Sequence, residues 1–217
     1  MQKQGVKMEL NLKGKRALVS GGSKGIGLAI KKALEAEGVE VISLSRSEGS
    51  DLMDRKAMYK AMTTHLRGCN ILINNLGGKG SMETEYYHDE ITKINYTTTV
   101  KLTLAFLIAP PKWGRVISIS SIYGKEKGHN PAFTAAKAAQ IAYSKCMSKN
   151  EHGIRWNTIS PGYIKTKKDI IKYAKKVNAP IGKPVDIANM VIYLCSEKAS
   201  FINGVNIVID GGFSNSF

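Results

Sequence analysis

Apolar residues along this chain fall into short continuous runs that alternate with longer stretches of helical spacing. Six of the runs predict strands, and they cover residues 16–20, 39–45, 69–74, 114–120, 155–160 and 206–210. The runs are largely continuous instead of alternating with polar residues, which is typical of strands buried on both faces. The pattern therefore predicts an α/β fold, with a parallel sheet covered by helices on each side.

Helical spacing of apolar residues predicts the segments that connect these strands. The predicted helices cover residues 28–37, a segment after residue 54 that ends near 67, 89–109, and 131–149. Gly38 is placed to end the first helix, and Asn130 before Pro131 is a favourable start for the last. No repeat, low-complexity segment or linker divides the chain. We expect one domain over residues 1–217, with residues 1–13 as a loose lead-in.

A glycine-rich stretch, residues 20–27, joins the first predicted strand to the first predicted helix. Its glycines are Gly21, Gly25 and Gly27, a G-x-x-x-G-x-G spacing that differs from the G-x-G-x-x-G dinucleotide fingerprint. Glycines let the backbone approach a pyrophosphate, and the free N–H groups at a helix start attract negative charge. The stretch predicts a phosphate cradle; the alternative is an ordinary glycine turn.

The charge of the chain favours anionic partners. The 217 residues, 43% of them apolar, include 32 basic and 17 acidic side chains, a formal net charge of +15. This balance suits phosphorylated cofactors, nucleotide-linked substrates or an acidic carrier protein. The basic residues are spread out, with no arginine-rich arm, zinc-finger spacing or aromatic RNA-binding signature. No nucleic-acid partner is therefore expected.

Other features of the composition argue against further classes. No apolar run approaches the roughly 18 residues of a membrane span, and the first dozen residues lack the apolar region of a signal peptide. Three scattered cysteines indicate a reducing compartment, the cytoplasm, and no disulfide framework. The four histidines share no metal-ligand spacing, so no metal site is expected.

Several further motifs follow the glycine turn in a recognisable order. They are Asp51-Leu52, Asn74 to Gly77, Asn95, Ser121, Lys137, Pro161-Gly162 with Thr166, and Asn203-Gly204 with Asp210-Gly211-Gly212. In order and spacing the chain resembles a single-domain short-chain dehydrogenase/reductase. The resemblance implies a Rossmann-type doubly wound parallel sheet of about seven strands that binds a nicotinamide cofactor. It also implies a homodimer or homotetramer formed through the helices at 89–109 and 131–149.

The charge at the end of the second strand indicates which nicotinamide cofactor is bound. NAD-binding members carry an acidic residue there, whereas this chain has Ser45 followed by Arg46, and Lys24 lies in the glycine turn. Two cations without a carboxylate suit a 2′-phosphate, so NADP(H) is expected; the alternative is that both cations only add solubility. The resemblance implies that the cofactor lies against Gly21, Ser23, Lys24, Gly25, Ile26, Gly27, Ser45, Arg46, Asp51, Leu52, Asn75, Gly77, Lys137, Pro161, Gly162, Ile164 and Thr166.

The resemblance also implies a catalytic set of serine, tyrosine and lysine supported by an asparagine. Ser121 matches the serine that polarises the carbonyl, Lys137 the lysine, and Asn95 the asparagine that positions a water. The proton-donating tyrosine should lie four residues before the lysine, on the same helical face. That position is Phe133, whose ring has no ionisable hydroxyl.

Loss of such a general acid typically lowers the rate by about 10²–10⁴-fold. Tyr143 lies nearly three helical turns away, and the family pattern gives Tyr123 no catalytic role. Two interpretations of Phe133 remain. One is a Tyr→Phe change made in an otherwise active enzyme to trap a complex. The other is a natural protein that binds NADP(H) without turning it over.

The substrate is a carbonyl or alcohol that the sequence defines only coarsely. Between Thr166 and Pro180 lies a lysine-rich segment, which in the family covers the substrate and here is short. A basic, open site suits an acyl chain on an acidic carrier protein, or a phosphorylated or nucleotide-linked sugar. The alternative is a solvated helix face. Residues 124–130 resemble those of 3-oxoacyl-acyl-carrier-protein reductases.

Overall fold

The computed structural model describes residues 9–78, 86–128, 130–149 and 153–215. Its strands are β1 Arg16–Ser20, β2 Glu40–Leu44, β3 Ile71–Asn74, β4 Gly114–Ile119, β5 Ile154–Pro161, β6 Tyr163–Ile164, β7 Ile181–Gly182 and β8 Asn206–Ile209. In the described ranges, six of them form one parallel sheet in the order β2-β1-β3-β4-β5-β8, and β6 pairs with β7 separately. The predicted doubly wound parallel sheet is confirmed.

The helices connect these strands as the apolar spacing predicts, with shifted ends. They are α1 Gly25–Ala36, α2 Arg55–Lys60, α3 Tyr87–Thr92, α4 Thr98–Phe106, α5 Pro131–Met147, α6 Lys168–Lys176 and α7 Pro184–Cys195. A π-helical turn, Ala61–His65, extends α2, and a second, Lys93–Thr97, joins α3 to α4. Helix α7 was not predicted, although it covers one face of the sheet with α1.

Two apolar cores lie on opposite faces of the sheet because neighbouring strand residues point in opposite directions. Ile71 and Ile73 belong to the core beneath α1 and α7, whereas Leu72 between them belongs to the core beneath α2 and α4. All three side chains are fully buried. This two-sided burial explains why the strands appear in the sequence as continuous apolar runs.

Within the described residues, the main sheet has six strands, against the seven or so that the resemblance implies. The chain passes from the end of β2 at Leu44 to the start of α2 at Arg55 through a single 3₁₀ turn, Arg46–Glu48. A parallel crossover to a further strand needs a dozen or more residues, usually with a helix. The connection is too short for one, so β2 forms an edge of the sheet.

The described end of the predicted lead-in is packed against the domain. Leu12 is 1% exposed and belongs to the core beneath α1 and α7. Gly14 N–H donates to the carbonyl of Gly38, which has a φ of +77° just after the end of α1. Residues 1–8 lie outside the described residues. None of the helices in the described part of the chain could span a bilayer.

We expect Leu12→Ala to lower the free energy of unfolding by about 2–4 kcal/mol, because it leaves a cavity in a closed core. Urea unfolding followed by circular dichroism measures this change. The matched control is Val185→Ala, whose side chain is 48% exposed and should cost less than about 0.5 kcal/mol. Equal, small effects of both substitutions would show that residues before β1 do not contribute to the core.

Candidate active site

The glycine turn folds as a close contact between backbone segments. Gly21 and Gly25 have φ angles of +73° and +57°, which favour glycine. A Cβ on Gly27 would lie 2.1 Å from the carbonyl oxygen of Gly21, so only glycine fits there. Helix α1 begins at Gly25, and the side chain of its N-cap residue Lys24 makes no capping bond. The geometry therefore suits a phosphate at the helix N-terminus, as predicted.

Asn75, predicted to contact the ribose, holds the turn in place through its side chain. Its Nδ2 donates to the carbonyls of Ser20 at 3.0 Å and Gly21 at 3.1 Å. The hydroxyl of Ser20 in turn accepts from the N–H groups of Asn75 and Leu76, at 3.0 and 3.1 Å. These bonds fix the end of β3 against the glycine turn, so the Asn75 amide supports the backbone of the site.

Asn95 and Lys137 converge on Gly77, which follows β3. A Cβ on Gly77 would lie 3.0 Å from Asn95 Oδ1 and 3.5 Å from Lys137 Nζ. Asn95 is fully buried in the π-helical turn between α3 and α4, and its Nδ2 donates to the carbonyls of Ile91 and Gly78. Such π-turns inside helices are frequent at functional sites. The two polar residues thus meet at the carboxyl edge of the sheet.

The ammonium group of Lys137 is buried, with the residue 4% exposed. Its Nζ donates to the carbonyl of Ile119 at 2.9 Å and to Oε1 of Gln140 at 3.3 Å. Gln140 donates onward to the Thr99 hydroxyl at 2.9 Å. Burial lowers the pKa of Lys137 to about 7. This lysine can therefore gain or lose a proton near neutral pH.

Phe133 lies close to this lysine, and Ser121 adjoins Ser120, which is hydrogen-bonded to the lysine's backbone. The Phe133 ring is half-buried, with its centroid 5.7 Å from Lys137 Nζ, and its N–H donates to Asn130 Oδ1 at 3.0 Å. Ser121 follows β4, where the Ser120 hydroxyl donates to the carbonyl of Lys137 at 2.9 Å. The predicted catalytic residues thus come from adjoining ends of β4, α5 and the π-turn. An aromatic ring stands where a hydroxyl is expected.

An aromatic cluster that joins β6 to α6 was not predicted from the sequence. The hydroxyls of Tyr123 and Tyr163 are hydrogen-bonded to each other. The Tyr163 ring also lies 5.9 Å from that of Tyr173 and 5.5 Å from that of Phe213. Burial, and then the bond from Tyr123, raises the pKa of Tyr163. Tyr163 directly follows Pro161-Gly162, but nothing in its sequence spacing locates Tyr123 beside it.

The predicted 2′-phosphate region contains a carboxylate that sequence analysis also missed. Ser45 is buried at the end of β2, while Arg46 and Lys24 are exposed. The Ser45 hydroxyl donates at 2.6 Å to Glu48, which lies three residues further along the chain. The sequence-based prediction considered the acidic residue only at position 45, and the turn that follows β2 brings Glu48 to Ser45 instead.

The remaining predicted cofactor residues line the same edge of the sheet. Asp51 accepts from the N–H of Met53 at 3.0 Å, and Leu52 is buried. A Cβ on Gly25 would lie 3.1 Å from Thr166 Cγ2, so the turn and the end of β6 are in contact. The other predicted residues on this edge are Ser23 and Ile26 in the turn, Pro161 and Gly162 at the end of β5, and buried Ile164 in β6.

Because the pKa of Lys137 is lowered, we expect the free energy of unfolding to depend on pH. In the folded chain this lysine loses its proton near pH 7, whereas the unfolded lysine keeps it to about pH 10.4, so stability rises with pH between these values. We expect a gain of about 2 kcal/mol between pH 7 and pH 9 in urea unfolding. Lys137→Met should remove this gain, and Lys145→Met, on the exposed face of α5, should keep it. An undiminished gain in Lys137→Met would contradict the assignment.

Known proteins related to this chain are oxidoreductases. The family model described as "Enoyl-(Acyl carrier protein) reductase" matches residues 50–214. The chain is 32% identical to the 3-oxoacyl-acyl-carrier-protein reductase FabG of Vibrio cholerae, over 94% of this chain and 98% of that protein. It is 31% identical to the acetoacetyl-CoA reductase of Shinella zoogloeoides, over 90% of this chain and 97% of that protein.

Solved structures of similar fold include two with a bound nicotinamide cofactor. A short-chain dehydrogenase from Burkholderia cenocepacia in complex with NADP has a TM-score of 0.83 and 28% identity, over 93% of this chain and 98% of the other. BdcA in complex with NADPH has a TM-score of 0.83 and 25% identity, over 94% of this chain and 96% of the other. With the glycine turn, the parallel sheet and the Asn95–Lys137 pair, these matches establish that the chain belongs to the short-chain dehydrogenase/reductase family.

Proposed function

We propose that this protein binds NADP(H) and is built to transfer a hydride between that cofactor and a carbonyl or secondary alcohol. The observation that carries the proposal is the convergence of Asn95 Oδ1 and Lys137 Nζ on Gly77. Gly77 and the glycine turn both lie at the carboxyl ends of the strands, where ligands bind in such folds. The N-terminus of α1, which follows the turn, has no side-chain cap. A buried lysine with a strongly lowered pKa, beside a buried asparagine, marks a candidate functional site.

The cofactor fits the turn on steric and electrostatic grounds. Gly27 leaves no room for a side chain, the first amides of α1 would be available to an anion, and Lys24 adds a positive charge beside them. Arg46 supplies a second cation at the end of β2, which favours NADP(H). Two related structures contain NADP or NADPH, which supports the same choice.

The residues of the chain then have separate tasks. A bound nicotinamide supplies or accepts the hydride. Ser121 would donate a hydrogen bond to the substrate oxygen, and Lys137 would bind the ribose hydroxyls and hold a proton nearby. Asn95 would hold a water beside Gly77. Phe133 keeps the shape of the family's tyrosine but cannot deliver a proton, so we expect turnover to be strongly impaired.

A 3-oxoacyl thioester is the substrate class that the relatives favour. One relative is named for an acyl-carrier substrate and another for acetoacetyl-CoA. In this chain, α6 exposes lysines toward solvent, which suits an anionic carrier, whether carrier protein or coenzyme; a phosphorylated or nucleotide-linked sugar is the second class. The exposed lysines are Lys167, Lys168, Lys172, Lys175 and Lys176.

We further propose that the protein works in the cytoplasm as a homodimer or homotetramer. Its cysteines are free thiols, as a reducing compartment requires: Cys69 and Cys195 are buried and Cys146 is exposed. Leu104 on α4 is 53% exposed and Ile108 just beyond it 79% exposed, and both would be covered by a second copy packed along this helix.

One observation favours a second candidate, a protein that binds NADP(H) without turnover. Phe133 removes the general acid, whereas Lys137, Asn95 and the glycine turn keep the geometry that binding needs. Such a protein would respond to the cofactor by a change in conformation or assembly. The two candidates share the cofactor site and differ in whether restoring one hydroxyl restores chemistry.

We expect Phe133→Tyr to raise NADPH-dependent reduction of acetoacetyl-CoA by about 10²–10⁴-fold, because it supplies the missing proton donor beside Lys137. Loss of NADPH absorbance measures the rate. Adding Ser121→Ala to Phe133→Tyr should abolish the gain. If Phe133→Tyr binds NADPH but reduces no substrate across a panel of 3-oxoacyl thioesters and other carbonyls, the hydride-transfer proposal fails and the non-catalytic one stands.

We expect Lys24→Gln to weaken NADPH binding by about three- to tenfold and to change NADH binding much less, because it removes a cation near the 2′-phosphate. Nucleotide fluorescence titrations give both dissociation constants. The matched control is Lys32→Gln, an exposed lysine further along α1, which should change neither. Equal weakening of both nucleotides by Lys24→Gln would contradict a role in recognising the phosphate.

A further inference from the structure

The carboxylate of Glu48 is hydrogen-bonded to serine hydroxyls at the end of β2. Its Oε2 accepts hydrogen bonds from Ser43 at 2.7 Å and from Ser45 at 2.6 Å. Its Oε1 lies 3.4 Å from Lys31 Nζ of α1, and the Glu48 side chain is 30% exposed. The carboxylate thus holds two hydroxyls and faces one cation.

This cluster lies directly beside the glycine turn. A Cβ on Gly22 would lie 2.3 Å from the Ser43 hydroxyl, and Gly21 N–H donates to the carbonyl of Leu44 at 2.7 Å. The hydroxyls that hold Glu48 are therefore neighbours of the backbone that is proposed to hold the cofactor phosphates. A nucleotide lying along the turn would bring its 2′ position toward the same end of β2.

The shortened connection after β2 presents Glu48 in this position. The 3₁₀ turn Arg46–Glu48 starts from Ser45, whose carbonyl accepts from the N–H groups of Glu48 and Ser50 at 3.0 and 2.9 Å. Gly49 ends the turn with a φ of +75°. The backbone therefore folds the chain back so that a side chain three residues after Ser45 reaches its hydroxyl.

Two hydroxyls and an ammonium group are donors that a phosphate monoester would also use. A carboxylate that already accepts from these donors competes with the phosphate and repels it. Burial raises the pKa of Glu48, but hydrogen bonds from Ser45, Ser43 and Lys31 outweigh this effect and lower it. Glu48 is therefore ionised at neutral pH, when the competition matters.

We propose that Glu48 is a nucleotide-specificity residue that competes with the 2′-phosphate for Ser43, Ser45 and Lys31. The inference rests on the proposed cofactor site, but it concerns a residue that the cofactor assignment did not use. NADP(H) must displace the carboxylate, whereas NAD(H) leaves it in place, where it can accept from a ribose hydroxyl. The chain should therefore distinguish the two nucleotides less sharply than Lys24 and Arg46 alone would make it.

The test is the change in nucleotide affinity on Glu48→Gln, which keeps the size of the side chain and removes its charge. We expect NADPH to bind about tenfold more tightly, and NADH within about twofold of its former affinity or more weakly. Adenosine 2′,5′-bisphosphate against 5′-AMP isolates the phosphate and should show the same selectivity. Glu35→Gln, an exposed carboxylate on α1, is the control for net charge and should change the two nucleotides equally.

The outcomes separate this inference from the proposed function. If NADPH binds the unmodified chain and Glu48→Gln leaves the NADPH-to-NADH ratio unchanged, the specificity role is overturned and the cofactor site stands. If neither nucleotide binds the unmodified chain or Glu48→Gln, the proposed function falls and this inference with it. Circular dichroism and the urea midpoint of Glu48→Gln verify that the variant is folded.

Discussion

The close approach of the glycine turn to its own backbone is the constraint on which the rest of the site depends. Gly27 packs so closely against the carbonyl of Gly21 that a Cβ would not fit. The side chain of Asn75, just after β3, donates a hydrogen bond to the same carbonyl. This contact sets the direction in which α1 leaves the sheet. This packing positions the first amides of α1 relative to the end of β2 and to Gly77.

The hydrogen bonds that position Lys137 and Asn95 do not involve the side chain at position 133. Lys137 is held by the carbonyl of Ile119 and the amide of Gln140, and Asn95 by the carbonyls of Ile91 and Gly78. None of these partners is the side chain at position 133. The positions of Lys137 and Asn95 therefore do not depend on whether residue 133 carries a hydroxyl.

The fold was largely predictable because its signals are local or strongly periodic. Continuous apolar runs predicted the six strands of the main sheet but not the short β6 and β7, and Asn130 was correctly predicted to start α5, where its side chain accepts from Phe133 N–H. Helix α7 was missed because its sequence is apolar on most sides, so its spacing lacks a clear polar face. The position of Glu48 depends on a turn that brings two serines to one carboxylate, and the pairing of Tyr123 with Tyr163 joins residues far apart in the chain. Neither arrangement has a spacing rule that the sequence alone could reveal.

The short connection after β2 leaves that strand at the edge of the sheet. Outer strands of sheets expose unpaired backbone groups, to which an extended segment of another chain can add. β2 spans only Glu40–Leu44, and its first residue is an exposed carboxylate paired with Arg16 at 3.0 Å. A brief strand that begins with a charge is a poor template for such addition. The edge formed by β2 in the described residues is therefore poorly suited to pairing with an added strand.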